Sequence, residues 1–90
     1  GKMLEGARLK LEKRKEDGSR STIAQWTSGK VPQEFERLVP GQYILTEEEA
    51  PNGYEIAEEL SLLWKKPQKY RLWICWIKSG QREYRQEIIL

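Results

Sequence analysis

The 90-residue chain has no histidine, one cysteine (Cys75), one asparagine (Asn52) and one aspartate (Asp17). Each scarcity excludes some chemistry. Without histidine, the usual general base and the usual triad member are gone. A single cysteine rules out an internal disulfide. It also leaves any metal site to one thiolate and carboxylates, so neither metal nor cofactor is expected. Cys75 lies in the run Leu72-Trp73-Ile74-Cys75-Trp76-Ile77 and reads as a small buried hydrophobe, since a reactive thiol needs an electropositive, accessible setting. That six-residue run is the longest apolar one, against the roughly 20 residues that span a bilayer. No signal peptide is visible, and membrane insertion is not expected.

A charge excess of one sign is also lacking. Sixteen basic and fourteen acidic residues are interspersed, for a net charge of +2. The only basic clusters, Lys13-Arg14-Lys15 and Lys65-Lys66, are too short for the stripe of a nucleic-acid binder and read as solvated hairpin ends. Nucleic acid is not an expected partner.

What is present is period-two patterning and large aromatic side chains: four Trp, four Tyr and one Phe. The length predicts one domain over 1–90, small enough that folding buries only about 60–65% of the unfolded chain's surface. Ala7, Leu9 and Leu11 alternate with Arg8, Lys10 and Glu12, as in a half-buried strand. Asp17-Gly18 marks a hairpin, and Ser21 to Thr27, with Trp26, is the return strand. A short strand is predicted over Glu34 to Leu38. Val39-Pro40-Gly41-Gln42 then suits a type II turn. In the next strand, Gln42 to Glu47, Tyr43, Leu45 and Glu47 share one face. Ala50-Pro51-Asn52-Gly53-Tyr54 is a second tight turn. Glu55 to Leu60 has room for one helical turn and no more. Leu60 to Trp64 is a strand closed by Pro67. Tyr70 to Ile77, apolar on both faces, is a central strand buried on two sides or covered by a partner. A hairpin at Lys78 to Gln81 leads to a last strand, Glu83 to Leu90. About seven short antiparallel strands predict an all-β sandwich or barrel.

Three segments resemble one family. Gly1-Lys2-Met3-Leu4-Glu5-Gly6-Ala7 is similar to its "G-K-x-L-x-G-A" opening. Leu38-Val39-Pro40-Gly41-Gln42-Tyr43-Ile44-Leu45 resembles "L-x-P-G-x-Y-x-L", and Thr46 to Tyr54 resembles "x-E-x-x-A-P-x-G-Y". Trp26-Thr27-Ser28 matches a recurrent "W-x-S". The ordered set, covering residues 1 to about 64, is similar to the Cna B-type (CnaB, SpaA-like, prealbumin-like) domains of Gram-positive adhesins and pilins. Residues 65–90 carry no motif and are assigned by periodicity.

The resemblance implies a Greek-key β-sandwich, prealbumin-like or Ig-like, used as a stalk or spacer in a cell-wall-anchored, extracellular surface protein. Neighbouring domains of that protein would be its partners. Many members form an intramolecular isopeptide bond, in which a Lys on the first strand attacks an Asn or Asp on the last while a buried Glu moves the protons. Glu47 matches that Glu, and its parity predicts an inward side chain with a raised pKa. The alternative is an inward Glu near a strand end, reaching water or a backbone N–H. The reactive partners are missing. The family's first strand precedes the opening motif and so falls outside this chain. Lys2 lies in a loop, Lys10 has outward parity, and Asn52 and Asp17 are turn residues. Glu87 is the nearest substitute acceptor, with the wrong side-chain length. No isopeptide bond is expected, and an open sheet edge could pair in a homodimer.

Three function classes can be set side by side. The first is a structural module of a collagen-binding-adhesin type or pilin stalk, its turns and core fixed by Gly6, Ala7, Trp26, Pro40, Gly41, Tyr43, Pro51, Gly53 and Tyr54. The second is a binding module for a host matrix protein or glycan, with Arg71, Trp73 and Trp76 as candidate contacts; core packing is the competing role for the two Trp. The third, an enzyme, has little to stand on. In Glu47-Glu48-Glu49 only Glu47 and Glu49 could share a face, and no nucleophile or metal spacing accompanies them.

Overall fold

A computed structural model describes residues 3–78 and 84–89, with side chains over 3–77. Seven strands occur among these residues: β1 (Arg8–Arg14), β2 (Arg20–Thr27), β3 (Gln33–Phe35), β4 (Gly41–Glu49), β5 (Leu60–Trp64), β6 (Leu72–Lys78) and β7 (Tyr84–Ile89). They form a four-stranded sheet, β2-β1-β4-β5, and a three-stranded sheet, β3-β6-β7, antiparallel throughout. The alternation in β1 produces this arrangement directly: Leu9 and Leu11 are buried while Arg8 is exposed.

The inner faces meet in one core of Leu4, Ala7, Leu9, Leu11, Phe35, Leu38, Tyr43, Leu45, Trp64, Leu72, Ile74 and Trp76. Each fully buried large apolar side chain here contributes roughly 1.5–3 kcal/mol. Trp26 packs edge-on against Phe35, with ring centroids 5.3 Å apart and planes at 67°. That T-shaped geometry sets the positive ring edge against the negative ring face. Ile44 is an exception to the inward rule. It lies on the outer face of the four-stranded sheet between Glu12 and Ser61, yet is only 1% exposed. Arg20 at the start of β2 pairs with Glu12 and reaches Glu59, just before β5, through two hydrogen bonds of 3.1 and 3.0 Å. This ion pair spans β1 and β4 on the sheet's outer side.

The chain enters through both layers. Met3 bridges Ile77 and the Leu4 N–H donates to the Trp76 carbonyl at 2.7 Å, in the three-stranded sheet, whereas residues from Arg8 onward belong to the other. Gly6, at φ +93°, makes the corner in a left-handed conformation that side chains rarely tolerate.

Several expectations are corrected. Strand β3 stops at Phe35, not Leu38, because Arg37 adopts φ +59° and cannot continue an extended chain. Leu38 still reaches the core. The type II turn expected at Val39–Gln42 does not form. Gly41 opens β4 at φ +159°, nearly extended, and the bend at Pro40 is held by the Tyr43 hydroxyl, which donates to the Val39 carbonyl at 2.6 Å. No helical turn forms over 55–60; the segment runs irregularly to β5. The second turn does form: the Tyr54 N–H donates to the Pro51 carbonyl at 3.1 Å, with Gly53 at φ +87° as type II requires. The hairpin expected at Lys78 to Gln81 falls largely outside the described residues.

Candidate functional site

Glu47 sits near the end of β4, opposite Leu9, and is 3% exposed. It follows Tyr43 and Leu45 on the inner face, as strand parity demands. Its Oε1 accepts a 2.7 Å hydrogen bond from the Ala57 N–H. The Trp76 indole N–H faces the carboxyl without the tight geometry of the Ala57 bond. Burial pushes the carboxyl above its ordinary range, and these two donors pull partly back.

Local sequence explains why Ala57 arrives there. The Pro51–Tyr54 turn reverses the chain after β4, and residues 54–59 run irregularly toward β5. An irregular segment has no ladder for its N–H groups, and a buried N–H needs an acceptor. Glu47 supplies one.

The lysines of β1 lie elsewhere. Lys10 points outward to Glu12 and Glu48, at 3.8 and 3.7 Å. Lys13, opposite Tyr43, has the inward parity that Lys10 lacks, with its ammonium 6.0 Å from the Tyr43 ring centroid. Four residues of strand separate Tyr43 from Glu47, about 13 Å at the usual rise. Asp17 is occupied in its turn, accepting from the Ser19 N–H at 2.9 Å and the Ser19 hydroxyl at 2.6 Å, and these bonds lower its pKa. Asn52 is exposed in the Pro51–Tyr54 turn. Glu87 is in register with Cys75, whereas the strand position opposite Trp76 belongs to Gln86. Cys75 alternates along β6 with the inner row of Leu72, Ile74 and Trp76, and the side chain of Glu87 lies outside the described residues.

Two other expectations change. A bulge lies between the pairs Arg8–Glu49 and Leu9–Glu47. It breaks the alternation, and Glu49 is exposed opposite Arg8 instead of sharing the Glu47 face. Trp76 belongs to the inner row of β6 with Leu72 and Ile74 and is 3% exposed, so it cannot line a ligand surface with Arg71. Trp73 is half-buried in the opposite row; Arg71 is exposed and pairs with Glu34 and Glu36 at 3.3 and 3.5 Å. Among the described residues no group of three His, Cys, Asp or Glu is placed to hold a metal ion.

Ser28 stands in the sequence only as the end of the W-x-S match, without a role, and the structure gives it one. Its hydroxyl donates to the Leu4 carbonyl at 2.7 Å and accepts from the Ala7 N–H at 3.0 Å. Its own N–H donates to the Ala7 carbonyl at 2.8 Å, and its carbonyl accepts from the Gly6 N–H at 3.0 Å. One buried serine thus satisfies the backbone of the crossover between layers. The signal was the pairing of Gly6-Ala7 with Trp26-Thr27-Ser28, two short motifs in the sequence that interlock in space.

A family model described as "SpaA: Prealbumin-like fold domain" matches residues 1–68. The chain belongs to that family. All three motif segments of this SpaA prealbumin-like domain fall within the match, as do Glu47 and Ser28; β6 and β7 lie beyond it. No curated protein and no solved structure matches the chain.

Proposed function

We propose that this SpaA prealbumin-like domain is a non-catalytic stalk or spacer module, of the Cna B type, in a cell-wall-anchored bacterial surface adhesin or pilin, and that packing holds it together without an isopeptide bond. The observation that carries the reading is the state of Glu47. In sequence it matches the proton-shuttle Glu of the domains it resembles, and in the structure its carboxyl accepts from the Ala57 N–H and faces the Trp76 indole. A carboxyl that accepts from a loop N–H serves as a loop cap, and in the sequence Lys10 has outward parity while Asn52 and Asp17 are turn residues, which supports a core held by packing. The sandwich core, the Ser28 bonds and the Tyr43–Val39 clamp support a role in bearing tension between neighbouring domains.

Intact mass spectrometry of the purified chain tests this. The expected mass is that of the sequence with nothing lost. A deficit of one ammonia or one water would reveal a cross-link and overturn the packing-only reading.

A further inference from the structure

We propose that the groove between residues 36–37 and 68–71 is a binding site for an acidic saccharide, a sugar ring carrying a carboxylate or sulfate. The proposal is independent of the stalk reading. The groove encloses about 180 Å³ and is lined by Glu36, Arg37, Gln68, Lys69, Tyr70 and Arg71. Three of the six are cations and one is a carboxylate. Arg71 is already compensated by Glu34 and Glu36. Arg37 and Lys69 form no ion pair among the described residues, which leaves two cations to meet an anion.

The rest of the lining suits a sugar better than an acidic peptide. Tyr70 keeps 40% of its surface in solvent, with the ammonium groups of Lys66 and Lys69 at 5.4 and 5.7 Å from its ring centroid. The ammonium groups lie over the ring as cation–π contacts, so the positive charge is held in place for a sugar's anionic substituent, and the part of the ring left in solvent offers apolar surface to a pyranose. Glu36 would accept hydroxyl protons, which sugars have in number and a run of carboxylates lacks. The Gln68 amide donates to the Arg37 carbonyl at 3.2 Å, tying the two walls together and leaving its oxygen free to accept.

Arg37 is the second line of evidence. It is the sole non-glycine residue with positive φ among those described, at +59°. Glycine takes that conformation without steric cost. An arginine kept there puts a guanidinium at the groove where the backbone alone would favour glycine, and such strain clusters at ligand sites.

Amide NMR titration of the whole chain with defined tetrasaccharides tests the proposal. Heparin-derived (sulfated) and hyaluronan (carboxylate-only) tetrasaccharides are the probes, with maltotetraose as the neutral control and hexaglutamate as the peptide control. Shifts over residues 36–37 and 68–71 are expected with one or both acidic sugars; response to heparin alone would assign the sulfate as the recognised group. Arg37→Gly should weaken binding about tenfold, as loss of one charge-assisted contact does. It should do so without lowering the melting temperature, since glycine relieves the backbone. Tyr70→Ala, which keeps the Tyr70 N–H bond to the Pro67 carbonyl, should weaken binding as well. Equal binding of hexaglutamate or maltotetraose, no shifts with either acidic sugar, or unchanged affinity in Arg37→Gly would each overturn it.

Discussion

The Ala57 N–H and the Glu47 carboxyl meet at 2.7 Å inside the sandwich, ten residues apart in sequence and joined by a turn that doubles the chain back. A charged group is thereby used as a loop anchor, at the expense of burying it. Glu47→Ala removes the acceptor, leaves a part-buried N–H without it and opens a void where a buried side chain was; the expected loss is about 2–4 kcal/mol in urea denaturation. Glu47→Gln retains an acceptor oxygen and sheds the charge, so it should match or exceed the wild type at neutral pH.

The same burial sets a pH dependence. Glu47 titrates higher in the folded chain than its ordinary 4.5. Between those values the native state holds more protons than the unfolded one, so this group's contribution to stability falls as pH rises from about 4.5 and levels off above the folded pKa. Asp17 and Glu59 have lowered values, from Ser19 and Arg20 respectively, and act in the opposite sense at more acidic pH. Wild-type stability should therefore peak in mildly acid solution. Glu47→Gln should flatten the alkaline limb and leave the acid limb, as followed by thermal melts across pH.

Ser28→Ala deletes one donor and one acceptor at once, leaving the Leu4 carbonyl and the Ala7 N–H without their side-chain partner in a buried place. The expected cost is about 2–3 kcal/mol, more than is typical for losing a hydroxyl, because two backbone groups are left unsatisfied. Chemical denaturation measures it, and amide exchange should show the extra opening at Ala7.

Two glycine substitutions separate torsion from space. At Gly6 an added Cβ would meet Pro51 only at 3.7–3.8 Å, an ordinary contact, but φ is +93°. Gly6→Ala should cost about 1–2 kcal/mol, all of it backbone. Gly29 has nothing within 4 Å and no positive φ, so Gly29→Ala should be neutral or gain up to ~1 kcal/mol through the unfolded chain. Equal melting temperatures for the pair would refute the assignment.

Where one face is polar, the sequence spoke clearly. Arg8, Lys10 and Glu12 alternate with Ala7, Leu9 and Leu11, so β1, and through Tyr43 and Leu45 the inward Glu47, are legible from parity alone. Strand β6 gave no such information. With Trp73, Cys75 and Ile77 as apolar as Leu72, Ile74 and Trp76, parity is silent, and only pairing decides that Trp76 is core and Trp73 is not. The bulge that turns Glu49 outward and the left-handed Arg37 that ends β3 are single-residue departures with no periodic trace. The groove at Arg37 and Tyr70 joins segments more than thirty residues apart, a closeness that only topology creates.

The crossover at residues 3–8 has a mechanical corollary. A pull arriving at Met3 reaches β6 in one layer first, and must undo the Leu4–Trp76 link and the Ser28 contacts before β1 in the other layer feels it. The entry point acts as a rivet through both plates: force from that end is shared between them instead of peeling one strand at a time.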